Sequence, residues 1–310
     1  MNLKLNNSLQ LGVLDFGFIT PGKTALDVIE ETLQAASLVD SLGYSRYWLT
    51  EHHGKSFAWN SPEIMLSLIA RKTSRIRLGT AGILLYFYNS LKIAEIFRVL
   101  EVLYPQRIDL GLAAGLAEDE TMQALSQGLD FKKAIAKNCY DKKVGDLINF
   151  LQDSFSLDNI TIKAPPAIDA IPQMWLLGTG KRNMQIAAAR GTAFSYSIYH
   201  SCSKCDPDIL QEYRDKFQPS VVSSKPQCSL TVGVICAETE IEARMQKKLV
   251  EKIDKTTQIL VFGTPEQCWE QLLEMQHRYG VNEIAIVSSW HIFQKRKLAY
   301  QMLGSYLSNI

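Results

Sequence analysis

The 310-residue chain has no apolar run approaching the ~20 residues that a membrane-spanning helix needs. It also lacks an excess of either charge: 33 Lys and Arg stand against 32 Asp and Glu, and the basic residues are scattered. A nucleic-acid surface needs a concentrated positive patch, so nucleic acid is set aside as a partner, and so is a membrane. Cysteine is sparse: six in a chain this long make no disulfide framework, and the expected compartment is a reducing cytoplasm. The opening MNLKLNNSLQLGVLDFG has neither a long apolar core nor a small-residue cleavage site, so it does not read as a signal peptide. No short-period repeat or low-complexity segment occurs, and the linker-like stretches 164–172 and 218–227 read as loops.

What is present is an ordinary globular composition, 46% hydrophobic and 21% charged, with strand-type and helix-type segments in alternation. Short, nearly continuous apolar runs read as strands over 11–18, 45–50, 75–85, 107–115, 173–180, 193–199, 229–237 and 283–289. Helical spacing covers 24–44, where Thr24 with Asp27 forms a capping-box pattern and Gly43 is a suitable stop. Further helices are expected over 61–74, behind Ser61 and Pro62, over 90–103, and through much of 116–170. Another begins at Thr264-Pro265, and a last one runs from about 294 to 307. Strands of this kind are buried on both faces, as in a parallel sheet. Eight of them separated by helices predict an α/β fold: a single (β/α)8 TIM barrel over 1–310, with a shortened loop region after strand seven. A doubly wound open sheet is the alternative.

In such a barrel the chemistry lies at the C-terminal ends of the strands. Strand two there runs into Glu51, His52 and His53, three side chains that are costly to bury. Other ends are small and polar: Thr80-Ala81-Gly82, Ala113-Ala114-Gly115, and Gly178-Thr179-Gly180 followed by Lys181 and Arg182. Such ends leave room for a flat ligand against the backbone. The last one opens a helix, whose free N–H groups and dipole suit a phosphate. Trp290 and His291 end strand eight, where substrate contact and rim packing are equally open. Cys202 and Cys205 have CxxC spacing without a second matching pair, so they read as a chance spacing and not as a metal site.

LGVLDFG, SRYWLTEHHG, SPEIMLSLIARKTSRIRLGTAGILL, IAEIFRVLEVLYPQRIDLGLAAG, WLLGTGKRN and FGTPEQC follow in the order and spacing of the bacterial luciferase-like flavin-dependent oxidoreductases, and EIAIVSSWHIFQKRKLAYQML completes the pattern. The chain therefore resembles that superfamily along nearly its whole length. The resemblance implies a cytoplasmic barrel, commonly a homodimer, that uses reduced FMN or a deazaflavin, with NAD(P)H or a partner flavin reductase as electron source. It implies His52 as the catalytic histidine, with Glu51 orienting or balancing it and His53 in support. It places Thr80, Ala81 and Gly82 under the isoalloxazine, in a segment often strained or cis. It places the cofactor along Gly115, Gly178, Thr179 and Gly180, with Lys181 and Arg182 as added cations. Tyr86, in the cluster Tyr86-Phe87-Tyr88, either lines the substrate pocket or packs the dimer, with packing favoured. Two departures stand out. Relatives often carry a cysteine and a phosphate-binding arginine where this chain has Ala113 and Ala114. They also often carry a longer closing segment than the one between Ala237 and Phe262, so a more open mouth and a bulky substrate such as a peptide are expected. The implied activity is an FMN-dependent monooxygenase acting on a small-molecule or peptide substrate. The alternatives are a flavin- or deazaflavin-dependent reductase of an activated C=C or C=N bond, and a non-catalytic flavin-binding or partner subunit.

Overall fold

The computed structural model describes residues 9–115, 119–126 and 139–307. The eight expected apolar runs form a closed parallel ring: β1 (Gln10–Asp15), β2 (Arg46–Leu49), β3 (Arg77–Thr80), β5 (Ile108–Ala113), β8 (Gln173–Gly178), β9 (Ala193–Ser197), β10 (Cys228–Cys236) and β12 (Glu283–Ser288), which pairs back with β1. This is the expected (β/α)8 barrel, and the open sheet is excluded by the β9–β10 pairing that closes the ring.

Two strand features differ from the sequence reading. The run over 75–85 is broken after Thr80: the Ala81–Gly82 peptide is cis, and a two-residue β4 (Ile83–Leu84) pairs with β5. An additional parallel strand, β11 (Ile259–Gly263), docks on the upper half of β10, at the end of the shortened region after strand seven.

The helices are α1 (Ala25–Ser41), α2 (Pro62–Lys72), α3 (Ser90–Leu103), α4 (Asp119–Ser126), α5 (Cys139–Leu151), α6 (Lys181–Arg190), α7 (Asp208–Lys216), α8 (Glu240–Ile253), α9 (Pro265–Tyr279) and α10 (Phe293–Gly304). The expected capping box at Thr24 forms, with Asp27 N donating to Thr24 Oγ1 at 3.2 Å, and α9 starts at a second one, with Gln267 N donating to Thr264 Oγ1 at 3.4 Å, each with the reciprocal bond. Ser61 precedes α2 as expected but makes no capping bond; its hydroxyl turns to Asn60. The helix expected through 116–170 ends at Leu151, followed by the hairpin β6 (Ser156–Leu157) and β7 (Ile160–Thr161); residues 116–118 and 127–138 lie outside the described residues. The helix α7 follows the Asp206-Pro207 loop and was not anticipated. No helix among the described residues is long and apolar enough to cross a membrane.

The N-terminal end of the barrel is closed by charge. Arg46 Nε lies 2.5 Å from Glu283 Oε1, and its Nη1 lies 2.7 Å from Asp109 Oδ2. Arg77 takes the other Asp109 oxygen at 2.6 Å, and Trp48 Nε1 donates to Asp109 at 2.9 Å. The guanidinium also lies over the Trp175 ring, 4.7 Å from its centroid. Strand residues two apart share a face, which is why Arg46 and Trp48 meet Gln173 and Trp175 across the interior. Removing Arg46 leaves two buried carboxylates without their shared cation. The expected cost of Arg46→Leu is about 3–5 kcal/mol of unfolding free energy, measured by urea denaturation. A loss under about 1 kcal/mol would mean that the cluster is not a stabilising unit.

Candidate active site

At the opposite end a cavity of about 550 Å3 is enclosed by the C-terminal ends of the strands. Its floor is apolar, with Leu14 and Leu84 beside a small-residue stretch of Ala81, Gly82 and Ala113. The flatness has a steric cause. A Cβ on Gly82 would lie 2.7 Å from the Gly111 backbone, and one on Gly111 would collide with the Thr80 carbonyl. Thr80 itself is fully buried behind this wall: its hydroxyl donates to Gly111 O at 2.8 Å and accepts from Gly111 N at 3.1 Å. The cis peptide that the resemblance implied lies in this floor.

Glu51 and His52 both line the cavity, but they do not bond to each other. Glu51 is buried and accepts from three directions: Leu84 N at 2.9 Å, Tyr88 Oη at 2.6 Å and His53 Nε2 at 2.8 Å. It therefore fastens the ends of β2 and β4 and the aromatic loop to one another; the expected contact that would orient His52 is absent. His53 points into this network and does not line the cavity. The His52 ring pairs its Nδ1 with Thr50 Oγ1 at 2.8 Å, stacks on Phe57 at 4.8 Å and leans on Phe16 at 5.2 Å. Burial, followed by the nearby His200 and His53, pushes its pKa down to about 4, so the ring is neutral at physiological pH.

Gly178, Thr179, Gly180, Lys181, Arg182 and Asn183 line the side facing His52, with Ala114 and Gly115 between. Here α6 begins behind Gly180, which offers no side chain to cap its first turn, and no acid occupies that turn. The donors at that end are thus left to solvent or to a ligand. Lys181 is tied to Glu212 at 2.6 Å. Arg182 donates to the Tyr86 hydroxyl at 2.7 Å and, among the described residues, makes no ion pair. Tyr86 is buried outside the cavity lining, held in a loop whose carbonyls at Leu85, Tyr86 and Tyr88 all accept from Lys143 Nζ. Trp290 and His291 line a separate cavity. The lining also includes residues the motifs did not single out: Phe16, Thr50, Ser197, Thr231 and above all His200. His200 arrives from the loop after β9, and no local pattern marks it.

A model of the luciferase-like monooxygenase family matches residues 9–249. The chain belongs to the luciferase-like monooxygenase family. Among relatives of this luciferase-like chain, the uncharacterized protein YceB of Bacillus subtilis is 31% identical over 96% of this chain and 98% of its own. The N-acetyl-S-alkylcysteine monooxygenase of the same organism is 27% identical over 96% and 97%. Of solved structures, apo-MsnO8 superposes with a TM-score of 0.85 at 27% identity, covering 97% of this chain and 98% of that one. More distant solved structures share the fold alone. The oxygenating constituent of 3,6-diketocamphane monooxygenase from Pseudomonas putida, in complex with FMN, has a TM-score of 0.75 at 14% identity over 97% and 98% of the two chains. An F420-dependent secondary alcohol dehydrogenase has a TM-score of 0.67 at 13% identity over 96% and 99%. As a luciferase-like family member the protein is a flavin-dependent oxidoreductase.

The depressed His52 pKa has a signed consequence. The folded chain favours the neutral ring, so this contribution to stability is complete above the unfolded value of 6.5 and is lost as pH falls toward about 4. Between those limits the unfolding free energy of the parent protein should fall more steeply than that of His52→Gln. Equal slopes in urea denaturation across that range would show that His52 is not held neutral by the fold.

Proposed function

We propose that the protein is an FMN-dependent monooxygenase of a small or peptide-borne substrate, in which His52 handles the proton at the reacting centre. One observation carries the reading: a neutral imidazole, a flat small-residue floor and an uncapped helix start share a single cavity of about 550 Å3. That volume lies within the ordinary range for cofactor and ligand sites. The chemistry of the lining fits the mononucleotide. The Ala81-Gly82 floor and Ala113 accept a flat ring against backbone, and Gly115, Gly178, Thr179, Gly180 and the first N–H groups of α6 suit a phosphate. When bound, the reduced flavin supplies the electrons that activate oxygen. His52, anchored to Thr50 through Nδ1, keeps Nε2 available to accept or return a proton.

With alanine at positions 113 and 114, the phosphate charge falls to the α6 cations. Lys181 is already neutralised by Glu212, whereas Arg182, among the described residues, makes no ion pair and donates to a phenol, so Arg182 is assigned the phosphate. Arg182→Met should weaken FMN binding about tenfold or more, and Lys181→Met far less, by absorbance titration of the cofactor-free chain. The reverse order would shift the assignment to Lys181.

A second reading is hydride delivery from reduced flavin or a deazaflavin to an activated C=C or C=N bond. It is favoured by one observation: among the described residues, none from 237–262 lines the cavity, so its mouth has no cover from that segment. Turnover of a candidate substrate with chemically reduced FMN under strict anaerobiosis separates the two. Activity without oxygen ends the monooxygenase reading. In either case His52→Ala should lower turnover by at least about 100-fold while the chain still folds, with a single cooperative unfolding transition at pH 7.

Electrons would come from NAD(P)H directly or through a flavin reductase, in the cytoplasm. A homodimer is proposed as well, on the exposed apolar stripe that Ile64 and Leu68 of α2 form with Val99, Val102 and Leu103 of α3. Sedimentation equilibrium reads it directly.

A further inference from the structure

A second cavity, of about 350 Å3, shares Leu14 and Phe16 with the main one and is bounded by the loop after β1, the end of β12 and α8. Its upper wall is apolar, with Ile19, Val250, Ile253 and Trp290. Its polar side carries an unusual group. Arg296 is largely buried, yet its guanidinium makes no hydrogen bond among the described residues. Its nearest acids, Asp15 at 3.7 Å and Glu31 at 3.8 Å, lie beyond hydrogen-bond distance, and its Nε is buried without a partner. Both acids are engaged elsewhere. Asp15 accepts from Gly17 N, Thr32 Oγ1 and Tyr47 Oη, and Glu31 pairs with Lys23 at 2.9 Å. Ser288 Oγ, on the same lining, is likewise buried and unpartnered. Buried donors are nearly always satisfied, so two of them on one cavity wall point to an acceptor supplied from outside.

We propose that this cavity is a substrate subsite for a short apolar group bearing a neutral carbonyl acceptor, an amide or an ester, with the rest of the same molecule passing Phe16 to reach His52. The subsite rests on the oxidoreductase reading of the main cavity. The charge balance selects a neutral acceptor. Asp15 and Glu31 already offset the guanidinium, so a carboxylate ligand would bring an unbalanced negative charge among Asp15, Glu31 and Asp254. An ammonium ligand would leave the donor-only Arg296 guanidinium unsatisfied and add a second positive charge beside it. The aliphatic wall accounts for the apolar body.

Three probes of similar length decide it: N-butylacetamide, hexanoate and hexylamine, titrated calorimetrically into the cofactor-free chain. The amide should bind at least about fivefold more tightly than either ion. Ser288→Ala should weaken it about threefold or more. Val250→Trp, which fills the cavity from α8, should abolish amide binding while leaving FMN uptake in the main cavity unchanged. Tighter binding of hexylamine or hexanoate would overturn the proposal, as would amide binding indifferent to both substitutions, or no binding of any probe. Should the amide bind as expected while the chain takes up no flavin, the subsite stands and the proposed function falls.

Discussion

The barrel depends on how Arg46 is accommodated. A guanidinium placed among the apolar interior of eight strands is costly unless every direction around it is occupied. Here Glu283 comes from β12, Asp109 from β5, and Gln173 and the Trp175 face from β8. Each partner is a point at which a distant strand is held in register. The cluster therefore acts as a lock on the ring as well as a plug in its base: burial pulls the Arg46 pKa down, and Asp109 and Glu283 outweigh it, keeping the guanidinium ionised at any accessible pH. With that end closed, the cavity of about 550 Å3 lies at the other, where the loops converge.

The site end is organised by a second carboxylate with a different task. Glu51 gathers a backbone N–H, a phenol and an imidazole, and so fixes the aromatic loop against the ends of β2 and β4. Lys143 holds the same loop from behind through three carbonyls. His52 is left outside this network and is defined by a threonine and two aromatic rings. A ring packed in that way has few solvating partners for a positive charge, which is the physical reason for its low pKa.

Much of this was legible from local pattern, and what was missed is missed for identifiable reasons. Continuous apolar runs announced all eight ring strands, because burial on both faces leaves no polar alternation. β11 escaped because its five residues are alternately buried and half-buried and sit between a polar stretch and a helix cap. The helix α7 escaped because DILQEYRDK buries only Ile209, Leu210 and Tyr213. The break after Thr80 reflects how closely β3 and β5 approach at Gly111, a contact between residues far apart in sequence. Glu51 and His52 were readable as neighbours at a strand end, but which atoms they bond was not: Glu51 reaches Tyr88, and His200 joins the lining only because the ring closes.

The strand β10 has a property that bears on how the family diversifies. Its first residues, Cys228 to Thr231, pair with β9 and complete the ring, while Gly233 to Cys236 project past β9 and receive β11 on the same edge. Closure and extension thus use separate stretches of one strand edge. Material between Ala237 and Phe262 can be gained, trimmed or exchanged by descent while the lower stretch keeps the circle shut. The mouth of the enzyme is free to change its selectivity on a scaffold that does not have to be reinvented each time.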